Sequence, residues 1–386
     1  MKKIIVLSRR MDIGGVETSL INFLKCFDCE KYEVTLLLQE KKGTLLHSVP
    51  DAVKIIEMKF DSVEYLKLVQ LDMVLPTLKE MQFKLIAAKC KLEKDKNDNP
   101  FLYKALEHCS AELEDCYDLA IDYHGYGYFT TIFMINSIKA NKYATFIHDD
   151  KFDWMDNIKS IKNDIDYYFC VSKACAEHLV ALYPDLKSKI QVFYNVVDAD
   201  SIKVKAQEVQ NDIPYNAENV IVTVGRLEWQ KGYDFLLDVA YELKKKIEFS
   251  WYIIGDGSWR DRIEKEIKDK DLQDNVFLLG AKENPYPYIK RADVYAQTSR
   301  HEGYGLAICE AKILCKPIIS TDLHCVREQI ENQVNGELVK MNVEEFLDRL
   351  EILIHNFDLR ELYMEKLLQE ENMSESFISI IEGILY

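Results

Sequence analysis

Two clusters in the chain combine residue types and spacings suited to anion and sugar chemistry. In the first, the β-branched run Val220–Val224 ends at Gly225, and Arg226 and Lys231 follow before Gly232 and a helical pattern. A guanidinium offers a fork of donors that matches phosphate oxygens and an ammonium offers a mobile point charge, so the pair can neutralise a diphosphate. Two solvated surface cations fit the same residues equally well. The second cluster is Ser299-Arg300-His301-Glu302-Gly303-Tyr304-Gly305-Leu306, with Glu310 further on. Gly303 and Gly305 let the backbone approach a ligand, and a helix beginning near Leu306 would offer free amides and its positive dipole end to phosphate. Glu302 then lies on the loop and Glu310 about one turn inside the helix. Carboxylates beside an anion need donors, and sugar and ribose hydroxyls are donors. An exposed helix start favoured by acidic residues would explain Glu302 but leave the glycine pair unused.

These loops need strands and helices to hold them. Apolar runs at Lys3–Ser8, Glu33–Leu38, Val53–Ile56, Leu119–Tyr123, Tyr143–Ile147, Tyr167–Val171 and Ile190–Tyr194 read as buried strands, with helical spacing at Val16, Leu20, Leu24 and Phe27 and over Ala174–Tyr183. A polar stretch, Lys203–Asn219 with Pro214, reads as a linker. The pattern then restarts, with strands at Val220–Val224, Ser250–Ile254, Val276–Leu279, Val294–Gln297, Pro317–Ser320 and Gly336–Val339. Helices are expected over Tyr233–Lys245, Arg260–Lys268, Leu306–Leu314 and Val343–Phe357. Alternation of this kind predicts an α/β chain of two doubly wound domains, residues 1–199 and 200–370, with ligands at the carboxyl ends of the strands.

Composition agrees with a folded chain and narrows its partners. The 386 residues exceed the ~150 of an average domain, and hydrophobic residues make up 48% of them. Lys and Arg number 49 against 65 Asp and Glu, a net charge of −16 that argues against a nucleic-acid partner and makes any anion site a local one. The 10 cysteines are irregularly spaced and, with no signal peptide evident, read as free thiols of a cytoplasmic protein; Cys26 and Cys29 form a lone C-x-x-C. No apolar run approaches the ~20 residues of a membrane span.

The residues so far resemble the retaining, nucleotide-sugar-dependent glycosyltransferases of family 4. Glu302 and Glu310 match that family's glutamate, seven residues, glutamate motif, and Lys316-Pro317 to Thr321-Asp322 its usual continuation. Gly225-Arg226 to Lys231-Gly232 is similar to its phosphate loop, and Gly255-Asp256-Gly257 is similarly placed. Asn195-Val196-Val197-Asp198 and the Gly14-Gly15 loop carry the likeness in the amino-terminal half.

The resemblance implies the GT-B fold, two Rossmann-like domains facing each other across a deep cleft, with the carboxyl-terminal helix 371–386 packed back on the first domain. It implies that Arg226 and Lys231 hold the donor diphosphate, Glu310 the ribose and Glu302 the transferred sugar, with Gly303, Tyr304, Gly305 and Leu306 lining the donor site. Gly280–Glu283 would lie near the base. Tyr304 stands where the family more often has Phe. His324-Cys325 departs from the small residues many members carry there.

In the first domain, Gly14 and Gly15 follow the first strand, where a backbone without Cβ suits either a ligand or a tight turn. His148 ends one strand and His124 another; the resemblance favours His148 near the donor sugar, and a structural role for His124. The expected reaction transfers a sugar from a nucleotide-diphosphate donor, a UDP-sugar by expectation, to a saccharide acceptor such as a lipid-linked intermediate of surface or capsular polysaccharide. Arg226, Lys231 and the helix amides would stabilise the departing phosphate, with no metal or other cofactor required; the triplet Asp198-Ala199-Asp200 reads as chance. Alternatives are a nucleotide-sugar epimerase of the same fold and a non-catalytic nucleotide-sugar-binding protein. A dehydrogenase lacks its G-x-G-x-x-G after the first strand. Leu75–Lys96 reads as a basic amphipathic helix, fitting either an anionic membrane face or a domain surface in water.

Overall fold

In the computed structural model, which describes residues 1–70, 100–125, 127–211, 218–370 and 377–386, the apolar runs lie in two parallel sheets. The first contains β1 (Lys2–Ser8), β2 (Tyr32–Leu38), β3 (Lys54–Glu57), β6 (Leu119–Asp122), β7 (Tyr143–Ile147), β8 (Tyr167–Cys170) and β9 (Ile190–Val192). β4 (Lys59–Phe60) and β5 (Cys109–Ser110) form a small antiparallel pair beside it. The second contains β10 (Val220–Val224), β11 (Ser250–Ile254), β12 (Val276–Gly280), β13 (Val294–Gln297), β14 (Ile318–Thr321) and β15 (Glu337–Val339). Their orders are β3-β2-β1-β6-β7-β8-β9 and β12-β11-β10-β13-β14-β15. Each is doubly wound, and the order reverses between β1 and β6 in one sheet and between β10 and β13 in the other.

Helices cover both faces of a parallel sheet, so its central strands must be apolar throughout rather than alternating. Ile4, Ile5, Val6 and Leu7 of β1 are accordingly all fully buried, and Ile4 stands in register with Val34 on one side and Leu119 on the other. In the second sheet the polar atoms that must be buried satisfy one another. The Trp251 indole N–H donates to Thr223 Oγ1 at 3.0 Å, and that hydroxyl donates to the Ala296 carbonyl at 2.7 Å, lacing β11, β10 and β13 together. The helix Tyr233–Lys244 contributes Leu236, Leu237, Ala240 and Leu243 to the same core as Phe346, Leu350 and Leu353 of the helix Val343–His355.

Side-chain caps decide where helices begin. Ser172 Oγ accepts the Cys175 amide at 3.1 Å, and Asn342 Oδ1 accepts that of Glu345 at 3.0 Å. The helix expected to run through Phe357 stops at Asn356, whose Oδ1 accepts the Leu359 amide at 3.0 Å and starts a second helix, Phe357–Gln369. The expected linker is also revised at its start. Asp198 Oδ1 accepts the Ser201 amide at 2.9 Å and caps a helix over Ala199–Lys205, so the Asp198-Ala199-Asp200 triplet serves a helix start.

The chain separates into two compact units, Met1–Asp12 with Val16–Tyr194 and Ser376–Tyr386, and Ile13–Gly15 with Asn195–Glu375. The chain changes unit at Tyr194–Asn195, where the sequence reading had 199–200. Within the first unit the helix Phe377–Leu385 packs by stacking Phe377 on Phe193, 5.5 Å between ring centroids, and Glu382 accepts a 3.4 Å hydrogen bond from the Tyr32 hydroxyl. Among the described residues Cys26 and Cys29 form no disulfide, and the Cys26 thiol donates to the Asn22 carbonyl at 3.3 Å. The basic stretch Leu75–Lys96 and Pro214 lie outside the described residues. Among the described residues no helix is long and apolar enough to cross a membrane.

Candidate functional site

The carboxyl ends of β10, β11 and β12 are extended by glycines that keep adjacent backbones in contact. The Gly225 amide donates to Ile254 O at 3.0 Å and that of Gly255 to Gly280 O at 2.9 Å. Gly255 has φ 152°, and a Cβ there would stand 1.9 Å from Gly225 O, which no side chain tolerates. Gly232 ends the single turn Trp229–Lys231 at φ 67°, where a Cβ would lie 2.1 Å from Thr298 O. That close approach joins the loop after β10 to the loop after β13. Thr298 Oγ1 donates to Lys231 O at 2.9 Å, the Arg300 amide to Gln230 O at 2.7 Å, and the Arg300 guanidinium to both Asp234 oxygens at 2.8 and 2.7 Å.

This lacing delivers Lys231 to Glu302. Lys231 Nζ lies 2.6 Å from Glu302 Oε1, and the same oxygen accepts from Ser299 Oγ at 2.6 Å and Gln297 Nε2 at 3.1 Å. Glu302 is buried, and one ammonium hydrogen suffices for this ion pair, leaving Lys231 two further donors. Next on the chain, Gly305 adopts the left-handed conformation at φ 85° as the residue before the helix Leu306–Ile313. Its carbonyl takes the amides of Ile308 and Cys309 at 2.9 and 3.2 Å, so those of Leu306 and Ala307 have no backbone acceptor among the described residues. Amides at the positive end of a helix, like an ammonium, are donors suited to an anion.

Glu310, in the same helix, is half-buried and accepts a 3.1 Å hydrogen bond from the Tyr286 hydroxyl. Burial raises its carboxyl to about 7, against the opposing effect of that hydrogen bond. Arg226 follows Gly225 and, among the described residues, forms no ion pair with Glu302. Its side chain is 58% exposed, and its one carboxylate within 4 Å among the described residues is Glu228, at 3.9 Å. Tyr304 is half-buried and its carbonyl accepts from Gln329 Nε2 at 2.5 Å, while Gly303 is buried. The departure at His324-Cys325 has a local explanation: His324 is exposed, and the buried Cys325 thiol donates to Glu302 O at 3.1 Å, supporting the loop.

In the first unit His148 follows β7, with Nε2 2.6 Å from Tyr123 O. A carbonyl only accepts, so Nε2 carries the hydrogen. Burial pushes the imidazole down to about 4, leaving it neutral near pH 7 with Nδ1 an acceptor. The His124 ring lies 5.7 Å from that of Tyr128, at the end of β6. Gly14 precedes and Gly15 begins the helix Gly15–Lys25 that follows β1, in the short stretch that groups with the second unit. Sequence reasoning assigned no role to Gln297 or Tyr286 and saw Cys325 only as a departure; Tyr286 and Cys325 act through partners 24 and 23 residues away, and Gln297 through Glu302 five residues on.

The fold and these loops define a class: a two-unit, doubly wound α/β protein with a Lys231–Glu302 ion pair at the switch point of its second sheet. Residues 205–367 match the family described as glycosyl transferases group 1. Over 271 residues the chain is 27% identical to the poly(ribitol-phosphate) alpha-N-acetylglucosaminyltransferase of Staphylococcus aureus, covering 69% of this chain and 54% of that one. Over 197 residues it is 29% identical to the Campylobacter jejuni N-acetylgalactosamine-N,N'-diacetylbacillosaminyl-diphospho-undecaprenol 4-alpha-N-acetylgalactosaminyltransferase, covering 50% and 52%. The chain thus spans about half the length of these curated relatives. Among solved structures it is similar to Anabaena HepE in complex with UDP and glucose, with TM-score 0.72, 17% identity and coverage of 100% and 99%. It is also similar to a mutant of S. aureus TarM in complex with Fondaparinux, alpha-GlcNAc-glycerol and UDP, with TM-score 0.71, 18% identity and full coverage of both chains. The fold is GT-B, as expected.

Proposed function

We propose that this chain is a retaining glycosyltransferase of family 4 that moves a sugar from a UDP-sugar to a saccharide acceptor. A lipid-linked intermediate of a surface or capsular polysaccharide is the acceptor we favour, and the relative named for a diphospho-undecaprenol saccharide supports that choice. The observation that carries the reading is the Lys231–Glu302 pair, 2.6 Å apart beside the Gly305 helix start. It sets a cation and two helix amides next to a carboxylate, the combination a diphosphate joined to a polyol requires.

Leaving-group departure develops negative charge on the diphosphate and positive charge on the anomeric carbon. Lys231, the Leu306 and Ala307 amides and the exposed Arg226 stabilise the former. Glu302 and neutral His148 accept from sugar hydroxyls, Glu310 accepts from ribose, and Gly14, Gly15, Gly303 and Tyr304 complete the donor site. On this reading no metal takes part, transfer occurs at the cytoplasmic membrane face, and residues 75–96 contact anionic lipid.

A thermal-shift panel of nucleotide sugars tests the central claim, since a ligand at a hundredfold its Kd adds about 2.7 kcal/mol to the folded state. A stabilising UDP-sugar is expected; a panel with no shift overturns the reading. Chelator-insensitive transfer and flotation with anionic but not neutral vesicles are the expected results for the metal and membrane claims.

A further inference from the structure

Glu302 spends one carboxylate oxygen entirely on protein. Oε1 takes Lys231 Nζ, Ser299 Oγ and Gln297 Nε2, whereas no donor among the described residues reaches Oε2. An oxygen saturated by three donors has no lone pair for a ligand, so the ligand-facing oxygen of this buried carboxylate is Oε2.

Gln297 has a particular place in this division. Its Nε2 also donates to Ser299 Oγ at 2.7 Å, which orients the Ser299 hydroxyl hydrogen toward Glu302. The amide itself is held by Tyr295, whose hydroxyl donates to Gln297 Oε1 at 2.7 Å. A Gln amide turned over would present its oxygen to the carboxylate, which repels it, and would give up the hydrogen bond that Oε1 takes from Tyr295. Tyr295, Gln297 and Ser299 are all buried, and burial keeps the Tyr295 phenol well above its ordinary range, hence a donor. The Tyr295 hydroxyl also lies 3.5 Å from the Val224 carbonyl, but Gln297 Oε1 at 2.7 Å is the closer acceptor, and the amide it meets donates in turn to Ser299 and Glu302.

We propose that Gln297, locked by Tyr295, is a positioning residue that commits Oε1 of Glu302 to the protein and reserves Oε2 for a hydroxyl of the transferred sugar. The proposal rests on the reading that Glu302 meets that sugar. It identifies a determinant of sugar preference that touches no ligand itself. The groups facing Gln297 are Glu302, Lys231 through that carboxylate, Ser299 and Tyr295.

Titration calorimetry with UDP and with UDP-glucose, UDP-galactose, UDP-N-acetylglucosamine and UDP-N-acetylgalactosamine gives the test, read as the ratio of Kd for UDP to Kd for the tightest-binding UDP-sugar. Gln297→Leu is expected to lower this ratio about tenfold, the weight of one hydrogen bond to a charged group, while Kd for UDP stays within about twofold. A loss of folding would move both constants, which separates positioning from mere support. Gln297→Glu supplies a sharper readout. While protonated, the new carboxyl donates as the amide did; once ionised, it repels Glu302. The ratio, normalised to that of the wild-type protein at each pH, should therefore fall as pH rises, whereas for Gln297→Leu it stays flat. A pH-independent ratio for Gln297→Glu, or an unchanged ratio for Gln297→Leu, overturns the proposal. Glu302→Ala separates the two ideas. If it too leaves the ratio unchanged, or UDP binds no variant, the donor-site reading itself fails; if it lowers the ratio while both Gln297 variants do not, only the positioning role is lost.

Discussion

At the carboxyl ends of β10 and β13, Lys231 and Glu302 form an ion pair ahead of the helix Leu306–Ile313, and Glu310 inside that helix accepts from the Tyr286 hydroxyl. At the ends of β6 and β7 in the first sheet, the same kind of topological position carries different chemistry. Burial raises the Asp122 carboxyl to about 6 while the Thr131 hydroxyl and the Gly125 amide, the latter at 3.2 Å, donate to it. Burial also lowers His148 to about 4, with its N–H on Tyr123 O. The former position carries an ion pair, Lys231–Glu302; at the latter the carboxyl is held by hydroxyl and amide donors beside a neutral imidazole, while burial raises a carboxyl at both, Glu310 and Asp122. Strand order supplies the crevice, and the loops alone decide whether it suits a phosphate or a neutral hydroxyl.

The comparison breaks most easily at Glu302. Glu302→Ala leaves Lys231, Ser299 and Gln297 without their shared acceptor, and transfer should fall about a hundred- to a thousandfold. A normal rate in a sugar-transfer assay would mean that the charged crevice is not where chemistry occurs. Gly232→Ala probes the joint beneath it, where φ 67° and a Cβ 2.1 Å from Thr298 O force the loops apart. Denaturant unfolding should show a loss of at least about 2 kcal/mol. Arg226→Ala should weaken UDP binding about tenfold by calorimetry yet leave the unfolding midpoint unchanged, because the side chain is 58% exposed.

pH provides the finer contrast. Glu310, raised to about 7, should become a better acceptor for ribose hydroxyls as it ionises, so UDP affinity should rise a few-fold across that pH, and Glu310→Gln should flatten the curve. Its stability contribution has the reverse sign. A carboxyl raised in the folded state stabilises most below its unfolded pKa and loses that contribution as pH rises through about 7. His148 is depressed instead, so it adds no step to a transfer–pH curve near neutrality, and its contribution to stability is lost as pH falls from its ordinary range toward about 4. A His148→Gln protein that keeps the wild-type acid limb in unfolding experiments would contradict this.

Much of the fold was legible because parallel strands buried on both faces must be continuous apolar runs. Tyr143–Ile147, Val220–Val224, Ser250–Ile254 and Val294–Gln297 occur with the boundaries their composition implies. Elements set by a cap or a short turn were not: Phe129–Ser137, Tyr286–Arg291 and the break at Asn356 depend on single residues or on packing. In the site, Glu302, Gly305 and Lys231 were readable from type and spacing. Arg226 was grouped with Lys231 by spacing; in the structure Lys231 pairs with Glu302 and Arg226 lies exposed near Glu228, a difference of burial that spacing does not carry.

Residue order alone determined the two doubly wound sheets and the loops bearing cations, glycines and carboxylates, because periodicity and turn chemistry are local properties. Only tertiary structure decided which oxygen of Glu302 is saturated and that burial raises Glu310. The hydrogen bond between the loops after β10 and β13, and that between Tyr286 and Glu310, join residues distant in the chain and leave no trace in local spacing.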